Sequence, residues 1–154
     1  ILRGCLLLSL SDFFSVNPIL FVLKLVLFLW LRWRFVKLQY NEETGTYDYY
    51  EYGNAHVDPQ HDNAVLTFEN VILQSCSFSQ LDSNGYLIYN VIGSGDDGYY
   101  LTNGKAIPVS WIKSGETDIT LFLDKETGGQ IEMNTGKTYI ALVPSDSWNK
   151  LSIQ

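Results

Sequence analysis

A chain of 154 residues with 46% hydrophobic and 18% charged residues is long enough, and apolar enough, to fold as one globular domain. The formal net charge is −7, and residues 41–154 are more acidic still, with sixteen Asp or Glu residues against five Lys residues. Such a body repels phosphate groups, so nucleic-acid binding is excluded as the main role. The two cysteines, Cys5 and Cys76, are too few for a disulfide framework or a zinc pattern.

Residues 1–39 form an apolar N-terminal segment that differs from the rest of the chain. Within it, residues 19–31 contain a single charged side chain, Lys24, and residues 30–34 are rich in Trp and Arg, as at a membrane interface. A helix is one conformation open to this segment. Three interpretations stand: a membrane anchor, a remnant of a preceding domain, or a stretch that is not native to the protein. In an anchor, the basic flank would place the following residues in the cytoplasm.

Residues 40–144 have the pattern of a β-rich domain, and residues 145–154 are predicted to be a tail. Turn-forming residues recur about every eight to twelve positions, and no sustained helical period is present. We therefore predict a mainly β domain with an antiparallel sheet, arranged as a sandwich or a barrel-like body. Strands are expected at residues 46–52, 71–78, 86–92, 99–102, 105–113, 117–123 and 138–143.

The strongest local signals lie between residues 86 and 113. Residues 86–92 are apolar at both alternating faces, which predicts a covered, central strand. The glycine-rich residues 93–98 are expected to form a turn or loop. Asn103-Gly104 predicts a two-residue hairpin, because both residues tolerate the positive φ of a type I′ turn.

A series of short motifs follows in order along residues 40–144. They are Tyr-Glu-Tyr-Gly-Asn-Ala-His-Val-Asp (50–58), Asn-Val-Ile-Leu-Gln (70–74), Asn-Gly-Tyr-Leu (84–87), Gly-Ser-Gly (93–95), Asn-Gly-Lys-Ala-Ile-Pro-Val-Ser-Trp-Ile-Lys (103–113) and Asn-Thr-Gly-Lys-Thr-Tyr-Ile-Ala-Leu-Val-Pro (134–144). The series resembles the C-terminal domain of the YerB-like bacterial lipoproteins. The resemblance implies a lipid-anchored protein of the cell envelope, with an α/β domain followed by this β-rich domain and with no established catalytic activity. It also implies an extracytoplasmic, membrane-associated location, which conflicts with the cytoplasmic placement that an anchor at residues 1–39 would give.

Four side chains that can bind metals, His56, Asp58, His61 and Asp62, lie within seven residues. They surround Pro59 in a loop-like stretch, and nothing nearby would orient the imidazole rings. We therefore predict no metal site here and interpret His56 and Asp58 as groups bonded locally to the backbone, with a role in partner contact kept as a hypothesis.

The other candidates for contact with a ligand or partner are Tyr49, Tyr50, Lys105, Trp111, Lys113 and Lys137. The two tyrosines belong to an aromatic and acidic run, residues 47–52, which could stack on sugar rings, receive a cationic peptide, or form cross-strand aromatic pairs. Lys105 and Lys137 each follow a turn that contains glycine, where each could contact an anion or a partner. The tryptophan is also predicted to face the core.

These features predict a non-catalytic accessory domain that contacts a protein or a cell-wall component, without a cofactor. An alternative is a carbohydrate- or peptide-binding module that uses an open row of tyrosines at residues 47–52. A second alternative is a hydrolase-type enzyme whose active residues lie partly in another domain, with a pocket lined by His56, Asp58 and Lys113. The sequence contains no recognisable nucleophile motif, which disfavours this second alternative.

Overall fold

The computed structural model describes residues 36–154, with Gly95 and Asp96 described by their backbone alone. The predicted apolar segment lies outside the described residues except for residues 36–39, and so does any anchor within it. Between residues 36 and 154, no helix is long and apolar enough to cross a membrane.

The protein is mainly β, as predicted, and its sheets pack as an open sandwich rather than a closed barrel. The strands are β1 (Val36–Asn41), β2 (Thr46–Glu51), β3 (Asn54–Ala55), β4 (Val57–Asp58), β5 (Ala64–Val65), β6 (Thr67–Phe68), β7 (Asn70–Cys76), β8 (Phe78–Gln80), β9 (Leu87–Tyr89), β10 (Gly93–Thr102), β11 (Lys105–Lys113), β12 (Leu121–Asp124) and β13 (Thr138–Pro144), and a 3₁₀ helix (Ser145–Lys150) follows them.

The main sheet has five strands in the order β12-β11-β10-β7-β13. Its pairs are antiparallel except for β13, which runs parallel to β7. A parallel pair cannot be joined by a tight turn, so the chain between β7 and β13 forms the rest of the sheet before it returns. The second sheet joins β1, β2 and β3 in that order, with β6 also paired to β2, while β4–β5 and β8–β9 are separate two-stranded hairpins.

The first core cluster lies between the two sheets. Leu38 and Tyr47 of the smaller sheet pack against Val71, Leu73 and Leu101 of the main sheet, and all five are buried. Removing each large apolar side chain from water contributes roughly 1.5–3 kcal/mol, so this contact holds the two sheets together.

The second core cluster lies on the opposite face of the main sheet. It consists of Ile72, Cys76, Tyr100, Val109, Trp111 and Phe122, and it is partly covered by Tyr89, Val91, Ile107 and Ile131. Because both faces of the sheet are covered along β7, all seven residues of that strand are buried.

Two predictions about residues 86–98 are wrong. Residues 86–92 are not a covered central strand: among residues 36–154, β9 pairs with β8 alone, and Leu87 and Ile88 remain 46% and 48% exposed. Residues 93–98 are not a loop, because β10 begins at Gly93 and pairs with β11 across a bulge between Ser94 and Asp97.

Gly98 suits this position in β10 because both neighbouring strands approach it closely. A Cβ atom on Gly98 would lie 3.0 Å from the backbone oxygen of Leu73 and 3.0 Å from a methyl group of Val109. A side chain would therefore push apart the centre of the main sheet, which is a different role for glycine from the turn that the sequence predicted.

The Asn103-Gly104 hairpin is confirmed, with φ angles of 48° and 71° and with Thr102 paired to Lys105. The residues expected to form a tail, 145–154, pack onto the domain instead. The Trp148 ring stacks on Tyr99 with 5.8 Å between ring centroids, and residues 151 and 153 contact the first core cluster. Trp148, Leu151 and Ile153 supply that contact. The apolar pattern that they form is too short to have predicted a strand.

Candidate functional site

The tyrosines of residues 47–52 do not form an open row. The pleat of β2 turns Tyr47 into the first core cluster, and Tyr49 packs against the same cluster. Tyr50 lies opposite Lys37, whose Nζ is 5.2 Å from the centre of the Tyr50 ring. Two of the four tyrosines therefore pack against the core, while Tyr50 is half-buried and Tyr52 is 49% exposed.

Tyr49 belongs to an aromatic cluster between the sheets. Its ring lies 5.4 Å from Tyr139, 6.3 Å from Phe68 and 5.7 Å from the His56 ring, measured between centroids, each in an edge-on geometry. Burial, together with the Tyr139 hydroxyl, raises the pKa of Tyr49. These contacts are favourable packing interactions of aromatic quadrupoles, and they indicate a structural role for Tyr49.

His56 and Asp58 point to different neighbours. The His56 Nδ1 atom is 3.9 Å from the Glu51 carboxylate. Asp58 accepts a 2.9 Å hydrogen bond from the Gln60 backbone N–H and lies 2.6 Å from His61 Nδ1, and these two contacts lower the pKa of its carboxyl group. The local backbone bonding expected for Asp58 is therefore present, in the turn that joins β4 and β5.

Lys113 donates to the backbone oxygen of Asp118. Within the described chain, no hydrogen bond or ion pair joins Lys113 to His56 or Asp58. Residues 36–154 also contain no group of three or more His, Cys, Asp or Glu side chains placed to hold a metal ion.

The remaining candidates separate into one core residue and two surface lysines. Trp111 is buried, and its indole Nε1–H donates a 2.9 Å hydrogen bond to the Ser75 backbone oxygen, so it belongs to the core as its strand position also predicted. Lys105 and Lys137 are exposed beside their turns. They are free to contact a partner, but the structure does not bring them to a common site with the others.

A buried polar network that the sequence did not reveal lies at the end of the main sheet. The Asn70 side chain is fully buried; its Nδ2 donates to the Asn134 backbone oxygen (2.8 Å), and its Oδ1 accepts from the Tyr100 hydroxyl (2.7 Å). The same hydroxyl accepts a 3.0 Å hydrogen bond from the Asn134 backbone N–H. Asn134 Nδ2 donates to the Thr102 hydroxyl at 2.7 Å, which closes the network.

The network fixes the segment before β13 onto the sheet. Beside it, the Lys137 backbone N–H donates a 2.6 Å hydrogen bond to Glu69, and a Cβ atom on Gly136 would lie 2.6 Å from the Glu69 side chain. Each buried polar atom has a partner, so the network is a structural anchor rather than a set of groups waiting for a ligand. A sequence gives little warning of it, because lone Asn residues more often mark turns.

The two edges of the main sheet differ. At the β12 edge, the following residues fold back and bond to the strand: Asp124 N–H donates to Gly129 O (2.9 Å) and Ile131 N–H donates to Phe122 O (2.8 Å). At the opposite edge, β13 pairs with β7 on one side, and no other strand of the described chain pairs with its outer side. Among residues 36–154, the first edge is therefore capped, and no strand covers the outer side of the second, which we call open in this sense.

The open edge also exposes large apolar side chains. Ile140 and Leu142 of β13 are 50% and 41% exposed, and they alternate with residues packed in the core. We call the outer edge of Thr138–Pro144, with these two side chains, the β13 edge. Within residues 36–154, it is a surface that fits an interaction with another polypeptide.

Comparison with known proteins gives two findings. Residues 27–140 match the family described as "Protein of unknown function (DUF3048) C-terminal domain". Among solved structures, the chain is similar to the YerB protein from Bacillus subtilis, with a TM-score of 0.66 and 19% sequence identity, over 77% of this chain and 38% of that chain. The chain thus spans 38% of the length of that protein, and the likeness shows the fold alone. No curated protein matches the chain.

Proposed function

Because the chain belongs to the family described as "Protein of unknown function (DUF3048) C-terminal domain", we propose that it is a non-catalytic interaction domain of a bacterial cell-envelope lipoprotein. The family match and the YerB fold agree with the resemblance drawn from the sequence motifs. An extracytoplasmic, membrane-associated location and a protein or cell-wall partner are parts of the proposal that rest on this resemblance.

The observation that carries the proposal is the β13 edge. An open strand edge presents backbone N–H and C=O groups that another extended chain can pair with, and folded proteins usually blunt or cover such edges. Ile140 and Leu142 add two exposed apolar side chains on the same strand, which a partner strand would cover. Strand addition, with main-chain hydrogen bonds for affinity and alternate side chains for specificity, is an established mode of recognition.

The charge of the domain favours one kind of partner. Residues 36–154 carry sixteen acidic and six basic side chains, so a second copy of this chain would meet it with like charge. An extended segment with apolar residues at alternate positions and Lys or Arg between them satisfies both the edge and the charge. We therefore take a basic, extended protein segment as the occupant, ahead of a second copy.

Photo-crosslinking in cells that produce the native protein tests the proposal. A photoreactive residue replaces Ile140, and in a matched control it replaces Ile119, which is 77% exposed and lies outside the β13 edge. We expect a discrete crosslinked protein from position 140 and none from position 119, and we expect Leu142→Lys to abolish it. Identical patterns from the two positions would rule out the β13 edge as the interaction surface.

Two further measurements address the partner class and the location. Calorimetric titration of the chain with soluble cell-wall fragments tests whether the partner is a cell-wall component. If the fragments bind and Leu142→Lys does not weaken that binding, the contact lies outside the β13 edge. Protease added to intact protoplasts should digest the native protein, whereas complete protection would contradict an extracytoplasmic location.

A further inference from the structure

The sequence contains two Asn-Gly dipeptides, Asn84-Gly85 and Asn103-Gly104. Such a dipeptide can deamidate without an enzyme. The glycine backbone nitrogen loses its proton to base and attacks the Asn Cγ atom, the Cγ–Nδ2 bond breaks, and ammonia leaves. Water then opens the resulting five-membered imide at either carbonyl and yields aspartate or isoaspartate, with no change of oxidation state.

The structure places the two dipeptides in very different hairpins. Asn84-Gly85 lies at the tip of the β8–β9 hairpin, which has three paired positions and pairs with no strand of the two larger sheets. Its base contacts the main sheet through Tyr89, whereas the tip lies beyond that contact. Ser83, Asn84 and Gly85 are exposed. The Gly85 N–H donates a 3.2 Å hydrogen bond to the Asp82 backbone oxygen, but this bond lies within the same turn and breaks when the tip opens, with no tertiary contact involved. A two-stranded hairpin of this length has little stability of its own, so its tip opens at low free-energy cost.

Asn103-Gly104 joins two long strands inside the main sheet and is clamped from the other sheet. The Gly104 N–H, which carries the nitrogen that would attack, donates a 3.1 Å hydrogen bond to the Tyr47 hydroxyl. A Cβ atom on Gly104 would lie 2.8 Å from the Tyr40 ring, so the two tyrosines of β1 and β2 enclose the turn. Attack on Asn103 therefore requires this tertiary contact to break.

We propose that Asn84 is a site of spontaneous deamidation in the folded protein, whereas Tyr47 protects Asn103 from the same reaction. The product at position 84 is a new carboxylate beside Asp82, whose Oδ2 now accepts a 3.1 Å hydrogen bond from Asn84 Nδ2. Two carboxylates at that distance repel each other, so the modified β8–β9 tip loses the side-chain hydrogen bond between residues 82 and 84 and gains a repulsion in its place.

The reaction is followed by mass spectrometry of the full chain after incubation in mildly alkaline buffer, with fragment ions assigning the mass change to each position. We expect Asn84 to deamidate at least roughly ten-fold faster than Asn103, which corresponds to about 1.4 kcal/mol of additional opening free energy at Asn103. In urea both dipeptides are exposed and the rates should converge. Equal rates in the native protein, or a difference that persists in urea, would overturn the proposal.

The role of Tyr47 is tested with Tyr47→Phe, which keeps the ring and removes the hydroxyl. Losing one hydrogen bond should raise the Asn103 rate about five-fold while the Asn84 rate stays unchanged. Tyr50→Phe, on the same strand but directed towards Lys37, is the matched control and should change neither rate. An unchanged Asn103 rate in folded Tyr47→Phe protein would show that the Tyr47 hydroxyl does not protect Asn103. If that variant does not fold, the rates of the unsubstituted protein with and without urea still test whether the fold protects Asn103.

Discussion

Tyr100→Phe tests whether the buried network stabilises the fold. The substitution keeps the ring in the second core cluster and removes a hydroxyl that donates to Asn70 at 2.7 Å and accepts from the Asn134 backbone at 3.0 Å. Each hydrogen bond contributes about 1 kcal/mol net, so we expect the free energy of unfolding to fall by about 2 kcal/mol. For a domain of this size, that loss lowers Tm by roughly 6–12 °C.

Urea unfolding followed by tryptophan fluorescence measures this loss, since Trp111 is buried in the same cluster. The m value should stay constant, because the surface exposed on unfolding does not change. Tyr89→Phe is the matched control: Tyr89 packs on the same cluster, and its hydroxyl makes no hydrogen bond within residues 36–154. If Tyr100→Phe lowers the free energy of unfolding by an amount within about 0.5 kcal/mol of that for Tyr89→Phe, the network does not stabilise the fold.

Three further predictions concern other contacts. Gly136→Ala brings a Cβ atom to 2.6 Å from Glu69, so we expect destabilisation by about 2 kcal/mol in urea unfolding and partial rescue by Glu69→Ala. Trp111→Phe removes the hydrogen bond to Ser75 and leaves a void, and it should lower the free energy of unfolding by about 2–3 kcal/mol. Hydrogen bonds from backbone N–H groups of its turn lower the pKa of Asp124 below the ordinary 3.8. Its ionised carboxylate therefore stabilises the folded state above pH 3.8, and this stabilisation is lost as the pH falls further. In a series of urea midpoints measured at different pH values, Asp124→Asn should reduce the decrease at acid pH.

Controls for these predictions come from the same chain. Gly45→Ala also places Ala at a positive φ, 72°, but meets no atom within 4 Å, so it isolates backbone strain from the clash at Gly136. Equal losses at the two glycines would contradict the steric argument. An acid limb that Asp124→Asn leaves unchanged would show that other carboxylates dominate the pH dependence.

Local signals in the sequence determined much of the fold. The Asn103-Gly104 hairpin depends on the φ preferences of two adjacent residues, and the structure has it where the sequence predicted it. The period-two apolar pattern located β7, β11 and β13, and the mainly β class followed from these strands. Such signals locate the candidate contact residues only in part. A strand pattern predicts on which face of the sheet a side chain lies, but not which other segment packs against that face.

Tertiary structure decided which apolar runs are covered and which polar residues meet. The run at residues 86–92 and the buried β7 look alike in sequence, yet β9 pairs with one short strand and stays half-exposed while β7 lies between two covered faces. Gly98, which the sequence assigned to a loop, lies in β10, where a Cβ atom would be 3.0 Å from atoms of Leu73 and Val109 on the two neighbouring strands. Turn chemistry acts over a few residues, whereas burial, the Asn70 network and the open β13 edge depend on contacts between segments far apart in the chain, which no local pattern encodes.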